Sequence, residues 1–300
     1  MERIGKYVIH KLSVTTGYAQ VVFCHDPDLQ VPVAIKLFDP RRVVDSPLSP
    51  AQWMSRFISE ARGMAAVEHT YVTPVKALEQ LPDGRPYFVM PFFAAHLSFE
   101  TGKDYYDKAA IAEAPEQDRP RHLSISRGIL LLRQITSAVA AMHRRGMVHR
   151  WVKPSNILLT AREGGSVRLA DFSMVKFPGQ NPPLPDVWAN PGPYTAPEQI
   201  QNASTVGAEA DVYSIGALAY RFVTGAPPDG DVRDKDKPED VPDQLWSFIV
   251  SAMDLDPQKR PANAGAAMPM LEGIQVAPKP QRDRIVITRQ AGGKTSAHMP

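Results

Sequence analysis

Over the first forty residues the apolar positions fall in short runs of strand length: Tyr7-Val8-Ile9, Val21-Val22-Phe23-Cys24, and Val31 to Phe38. Asp26-Pro27-Asp28 supplies a turn between the second and third, so the runs predict the start of a small antiparallel sheet. After a connection broken by Pro40, Pro47 and Pro50, the spacing becomes helical, and Trp53, Phe57, Ala61 and Met64 share one stripe within Ala51 to Val67. Tyr87-Phe88-Val89-Met90 returns to the strand pattern. From about Ser124 to Arg145 the 3.6-residue period carries Ile129, Leu132, Ile135, Val139 and Met142 to Gly146, placed as a C-cap. Gly164-Gly165 then turns a hairpin between Ile157-Leu158-Leu159 and Val167-Arg168-Leu169. Asp211 to Gly216 opens another apolar helix, and Trp246, Phe248, Ile249 and Met253 give the last helical core face. The order predicts an α+β chain: a small antiparallel sheet with one helix, then a larger, mainly helical part. The polar stretch between Leu97 and His122 reads as a surface insertion, with a mobile loop as the plainer reading, and 276–300, rich in proline and cations, as a flexible basic tail.

Composition narrows the function classes. A length of 300 residues suits two lobes and a short tail. No run reaches the roughly 18 to 20 apolar residues of a membrane span. The N-terminus lacks a secretory pattern and the single cysteine, Cys24, excludes an internal disulfide framework, so a cytoplasmic location is expected. A formal charge of +2 gives no electrostatic case for nucleic acid as a partner. The eight histidines show no metal-type spacing.

Candidate chemistry lies in residues that mean little singly. Lys36 closes Val33-Ala34-Ile35-Lys36, where a lone lysine reads as a solvated edge residue; Glu60 beside the helical stripe reads as a solvated face. Their company changes this: His149-Arg150-Trp151-Val152-Lys153-Pro154-Ser155-Asn156, then Asp171-Phe172-Ser173 after the hairpin, then Ala196-Pro197-Glu198. In that order the motifs resemble the eukaryotic-type Ser/Thr protein kinase family in its bacterial-like form, over about residues 5 to 273. The catalytic loop H-R-D-x-K-P-x-N is matched at every fixed position but one: Trp151 stands where the family has its catalytic Asp.

The resemblance implies a bilobal fold with an N-lobe at about 5–90, a hinge at 91–94 and a C-lobe at 95–273. It places Lys36 on the nucleotide phosphates and paired with Glu60, and it puts Leu12, Val21, Ala34, Met90, Phe93 and Leu158 around ATP. Met90 would be the gatekeeper and Phe93 N–H the hinge contact, since Pro91 has no N–H. Asn156 and Asp171 would hold Mg²⁺, and Lys153 would be what remains of the catalytic pair. Met64, Val75, His149 and Phe172 would stack between the lobes, Asp211 would brace the catalytic loop, and Arg260 would pair with Glu198. The glycine loop over the phosphates is reduced to Gly17, with Tyr18 at its aromatic tip and Ala19 for its third glycine, so weak ATP and Mg²⁺ binding is expected. Met174 to Tyr194 holds no Ser or Thr, which implies that Arg150 meets a carboxylate such as Asp186 instead of a phosphate; Pro191 replaces the Thr that accompanies the missing Asp.

An indole N–H is a donor only, so Trp151 cannot act as a base. Three readings follow: a pseudokinase that retains ATP and Mg²⁺ and acts as a scaffold or allosteric regulator on a protein partner; a slow but active Ser/Thr kinase with a protein substrate; and a nucleotide-free interaction module. The sequence leaves the oligomeric state open.

Overall fold

Strand alternation decides which side of the N-terminal sheet carries chemistry. The computed structural model describes residues 2–15, 18–42, 48–179 and 192–275. Six antiparallel strands, β1 (Arg3–Ile4), β2 (Tyr7–Thr15), β3 (Ala19–Asp26), β4 (Val31–Phe38), β5 (Ala77–Gln80) and β6 (Pro86–Pro91), run in the order β1-β2-β3-β4-β6-β5. On β4, Val33, Ile35 and Leu37 enter an outer apolar cluster with Tyr7, Cys24 and Tyr87. The alternate positions Ala34, Lys36 and Phe38 therefore face the other way, toward the helix and the interlobe cleft.

That helix, α1 (Pro50–Ala66), starts on a capping box in which Ser49 and Gln52 satisfy each other's backbone N–H groups, with Pro50 in the first turn, where no N–H is needed. Its buried face holds the predicted Trp53, Phe57, Ala61 and Met64, and also two charged residues, Arg56 and Glu60.

The second part is mainly helical. A three-stranded sheet of β7 (Ala95–His96), β8 (Ile157–Leu159) and β9 (Val167–Leu169) lines its upper edge. Ile157 and Leu159 are buried below it while Leu158 turns to the opposite face. Below lies the buried helix α4 (Ile125–His143), capped by Ser124 as the pattern requires. Beyond the short α5 (Pro197–Gln201), α6 (Glu209–Thr224) and α8 (Ala264–Glu272) pack on it, and α7 (Asp243–Ala252) packs on α6 and α8. Gly216 permits the close α6–α7 approach, because a Cβ there would stand 2.7 Å from that of Ala252. The chain has the bilobal α+β fold that its pattern predicts, and among the described residues no helix is long and apolar enough to cross a membrane.

The stretch between Leu97 and His122 overturns its plainer reading. Instead of a mobile loop it forms α2 (Ser98–Thr101) and α3 (Lys108–Glu113), and it packs on α6 through Arg221. The fully buried Arg221 guanidinium donates to Asp104 at 2.8 Å and to the carbonyls of Thr101, Lys103 and Arg121. Asp104 also accepts from the Tyr194 hydroxyl at 3.0 Å. Arg221→Met should destabilise the fold by about 2–4 kcal/mol, because it leaves a part-buried carboxylate and three carbonyls without their donor. Urea unfolding with an unchanged slope and a lower midpoint is the expected result.

Candidate functional site

The site is assembled from opposite sides of the cleft. From β4, Lys36 Nζ donates to Glu60 Oε1 of α1 at 2.7 Å and to Asp171 Oδ1 at 3.1 Å, so the pair that the resemblance implies forms and recruits a third group. Burial alone would lower the Lys36 pKa; the carboxylates of Asp171 and Glu60 overcome it and raise it well above the ordinary lysine range. Burial likewise opposes the charge on Asp171, yet Lys36 and the Ser173 N–H hold its carboxyl below the usual value. Asp171 sits at φ 62°, a left-handed conformation that costs energy outside glycine and is held here by these contacts.

The catalytic-loop stretch hangs from one carboxylate. Asp211, wholly buried at the start of α6, accepts from the backbone N–H groups of His149 and Arg150, both at 2.7 Å, and from His143 Nε2 at 2.8 Å. This fixes Arg150 at φ 61°. The Arg150 side chain donates to the carbonyls of Met174 and Ala203, and burial pulls its pKa down to about 10. Arg56 from α1 grips the neighbouring carbonyls of Ser173 and Val175, both at 2.9 Å. The segment after Asp171 is thus held by arginines from both lobes. Asp186 and Pro191 lie outside the described residues, as do Gly17, the side chain of Leu12 and 276–300.

His149 packs edge-on against Phe172, with ring centroids 5.4 Å apart, and Met64 and Val75 belong to the same core. The His149 ring accepts the Trp151 backbone N–H at Nδ1 and faces the Ala170 carbonyl with Nε2, a pattern that requires the neutral ring. Burial lowers its pKa accordingly. Below roughly pH 6.5 the unfolded chain therefore binds a proton that folded His149 refuses. Its contribution to stability is complete above that value and declines as pH falls through it. Thermal midpoints should drop on acidification from pH 7 to 5.5, with a shallower fall in His149→Phe.

Trp151 is half-buried against the core, and Lys153 Nζ sits 3.9 Å from the centroid of its ring. Lys153 makes no ion pair among the described residues, and burial lowers its pKa. The lysine is thus held by a cation–π contact. The two residues line a cleft of about 290 Å³ with Ser98, Asp104, Tyr194 and Thr195. Asn156 is oriented by a 2.9 Å bond from Nδ2 to the Trp151 carbonyl. Asn156 and Asp171 suit Mg²⁺, which takes few protein oxygens and fills its remaining positions with water and phosphate. Among the described residues no cluster of three or more His, Cys, Asp or Glu forms a dedicated metal cage.

Of the residues expected around a nucleotide, Val21, Ala34, Lys36 and Met90 share one face of the N-terminal sheet. Val21 lies opposite Lys36 and Ala34 opposite Met90 in strand register; Leu158 is half-buried on β8, and Phe93 follows β6 half-buried. Tyr18 differs from its expected place at the loop tip. Its side chain turns inward, 4% exposed, and its hydroxyl donates to Glu60 Oε2 at 2.6 Å. A phenol finds a buried carboxylate acceptor and an aromatic bed there, which the water-facing tip does not offer. Sequence reasoning also missed Arg56, Asp104 and Arg221; the two arginines fall on the buried stripes of α1 and α6, and a charge on an apolar stripe is the signal that marks them.

Residues 15–271 match the protein kinase domain family. The chain is 30% identical to the serine/threonine-protein kinase PknL of Mycobacterium tuberculosis, over 90% of its own length and 66% of PknL. It is 31% identical to PknK of the same organism, over 86% of this chain and 23% of PknK. It is 32% identical to the DNA damage-responsive serine/threonine-protein kinase RqkA of Deinococcus radiodurans, over 75% of this chain and 30% of RqkA. The chain spans about two thirds of PknL and less than a third of the other two. With the Lys36–Glu60 pair, the Asp211-braced loop and the Glu198–Arg260 bridge at 2.6 Å all in place, and with the match covering most of its length, the chain belongs to the protein kinase domain family.

Proposed function

We propose that this chain is a pseudokinase that binds ATP with Mg²⁺ weakly and acts on a protein partner as a scaffold or allosteric regulator. The observation that carries the reading is a contrast: Lys36, Glu60 and Asp171 are engaged with one another, while Lys153 rests on the indole of Trp151. The first three would contact phosphate and, through Asp171 with Asn156, the metal. Bound Mg²⁺ would neutralise phosphate charge. Opposite them, no carboxylate stands at position 151 to accept a substrate hydroxyl proton.

Transfer of labelled γ-phosphate to a generic protein substrate tests this. The wild type should give no more signal than Lys36→Met. Transfer well above that background would favour the slow Ser/Thr kinase reading, the branch that the names of the relatives support.

A further inference from the structure

Lys36 has no open side. Its ammonium donates to Glu60 and Asp171, the ring centroid of Tyr18 lies 5.2 Å from Nζ, and the residue is 4% exposed. Two of its three protons are committed to carboxylates and an aromatic face covers another approach. A phosphate oxygen arriving at Nζ must displace one of these neighbours.

Tyr18 is itself clamped. Its ring stacks on Trp53, 4.9 Å between centroids and 21° between planes, and meets Phe57 edge-on at 6.4 Å. Its hydroxyl bonds Glu60, and its carbonyl accepts the Asp39 N–H at 2.9 Å. The residue directly precedes β3, where the chain leaves the loop that would cover the phosphates. Glu60 is thus shared: one oxygen holds the lysine and the other holds the tyrosine.

We infer that Tyr18 gates the phosphate subsite of the cleft, so that the phosphates of a nucleoside di- or triphosphate reach Lys36 only after the ring leaves the Trp53–Phe57 clamp. This rests on the reading of the cleft as a nucleotide site and adds to it a cause of weak binding: the gate works against the phosphates and spares the base. A ligand that needs a minor state binds more weakly by the fraction of that state, so a gate closed about nine-tenths of the time weakens ATP about tenfold. Adenosine, which has no phosphate, is not subject to it.

Calorimetric titration of the whole chain with Mg·ATP and, separately, with adenosine tests the gate in wild type, Tyr18→Phe and Tyr18→Ala. Phenylalanine keeps the stacking and loses the bond to Glu60, which guards against an alanine variant that fails to fold. The expected result is tighter ATP binding in both variants, about tenfold in Tyr18→Ala, with adenosine affinity unchanged. If adenosine binds and the ratio of ATP to adenosine affinity stays the same or falls in both variants, Tyr18 is a brace for Glu60 and the gate is wrong. If none of the three proteins binds either ligand, the nucleotide reading fails and the gate falls with it.

Discussion

Trp151→Asp should raise phosphate transfer by about 10² to 10⁴ over the wild type, the span that a general base contributes. The scaffold for that carboxylate is already present. Asp211 fixes the backbone on the N-terminal side of position 151 through His149 and Arg150, and Asn156 bonds the carbonyl of 151 itself. Removing the indole also releases Lys153 from its ring contact, so that the ammonium turns to the new carboxylate and to phosphate. The measurement is labelled phosphate incorporation into a generic substrate, with Trp151→Asn as the control that removes bulk without adding a base. Equal rates in the Asp and Asn variants would mean that the loss extends beyond the base.

The second large effect is on stability. Asp211→Ala should cost about 3–5 kcal/mol, because it strips two buried N–H groups and His143 of their shared acceptor and frees Arg150 from its left-handed conformation. For a chain of this size that lowers the thermal midpoint on the order of 10 °C. Burial opposes the Asp211 charge, but His143 and the bonds from the loop hold its carboxyl below the usual range. Its stabilisation is therefore complete above the ordinary aspartate pKa near 4 and is lost as pH falls through the lower folded value. The difference between wild type and Asp211→Ala should accordingly be flat at neutral pH and shrink only in strong acid. A midpoint shift under 2 °C at pH 7 would show that the loop does not depend on this brace.

What could be read from sequence and what could not divide along a physical line. Helix α4 was legible because its apolar period, Ser124 cap and Gly146 stop agree with one another, and the hairpin because Gly164 and Gly165 sit between Ile157-Leu158-Leu159 and Val167-Arg168-Leu169. The order of motifs located Lys36, Glu60, Asp171 and Trp151, and the geometry brings the first three together. Long-range polar contacts were not legible. Asp104 finds Arg221 across 117 residues, and a polar stretch rich in charge reads as solvated until a buried guanidinium is known to lie beneath it. Tyr18 was misplaced for a related reason: local loop chemistry says where the backbone turns, and only the packed face of α1, with Trp53, Phe57 and Glu60 side by side, says where the ring goes.

On the proposed reading, Lys36, Glu60 and Asp171 would serve a nucleotide while position 151 offers no base. The measurement that bears on this most directly is a titration of the wild-type chain with ATP in the presence and absence of Mg²⁺, read by calorimetry, beside Asp171→Asn. The account predicts saturable binding in the wild type that strengthens with Mg²⁺, and loss of that metal dependence in Asp171→Asn. No binding by the wild type at millimolar ATP with Mg²⁺ would contradict it.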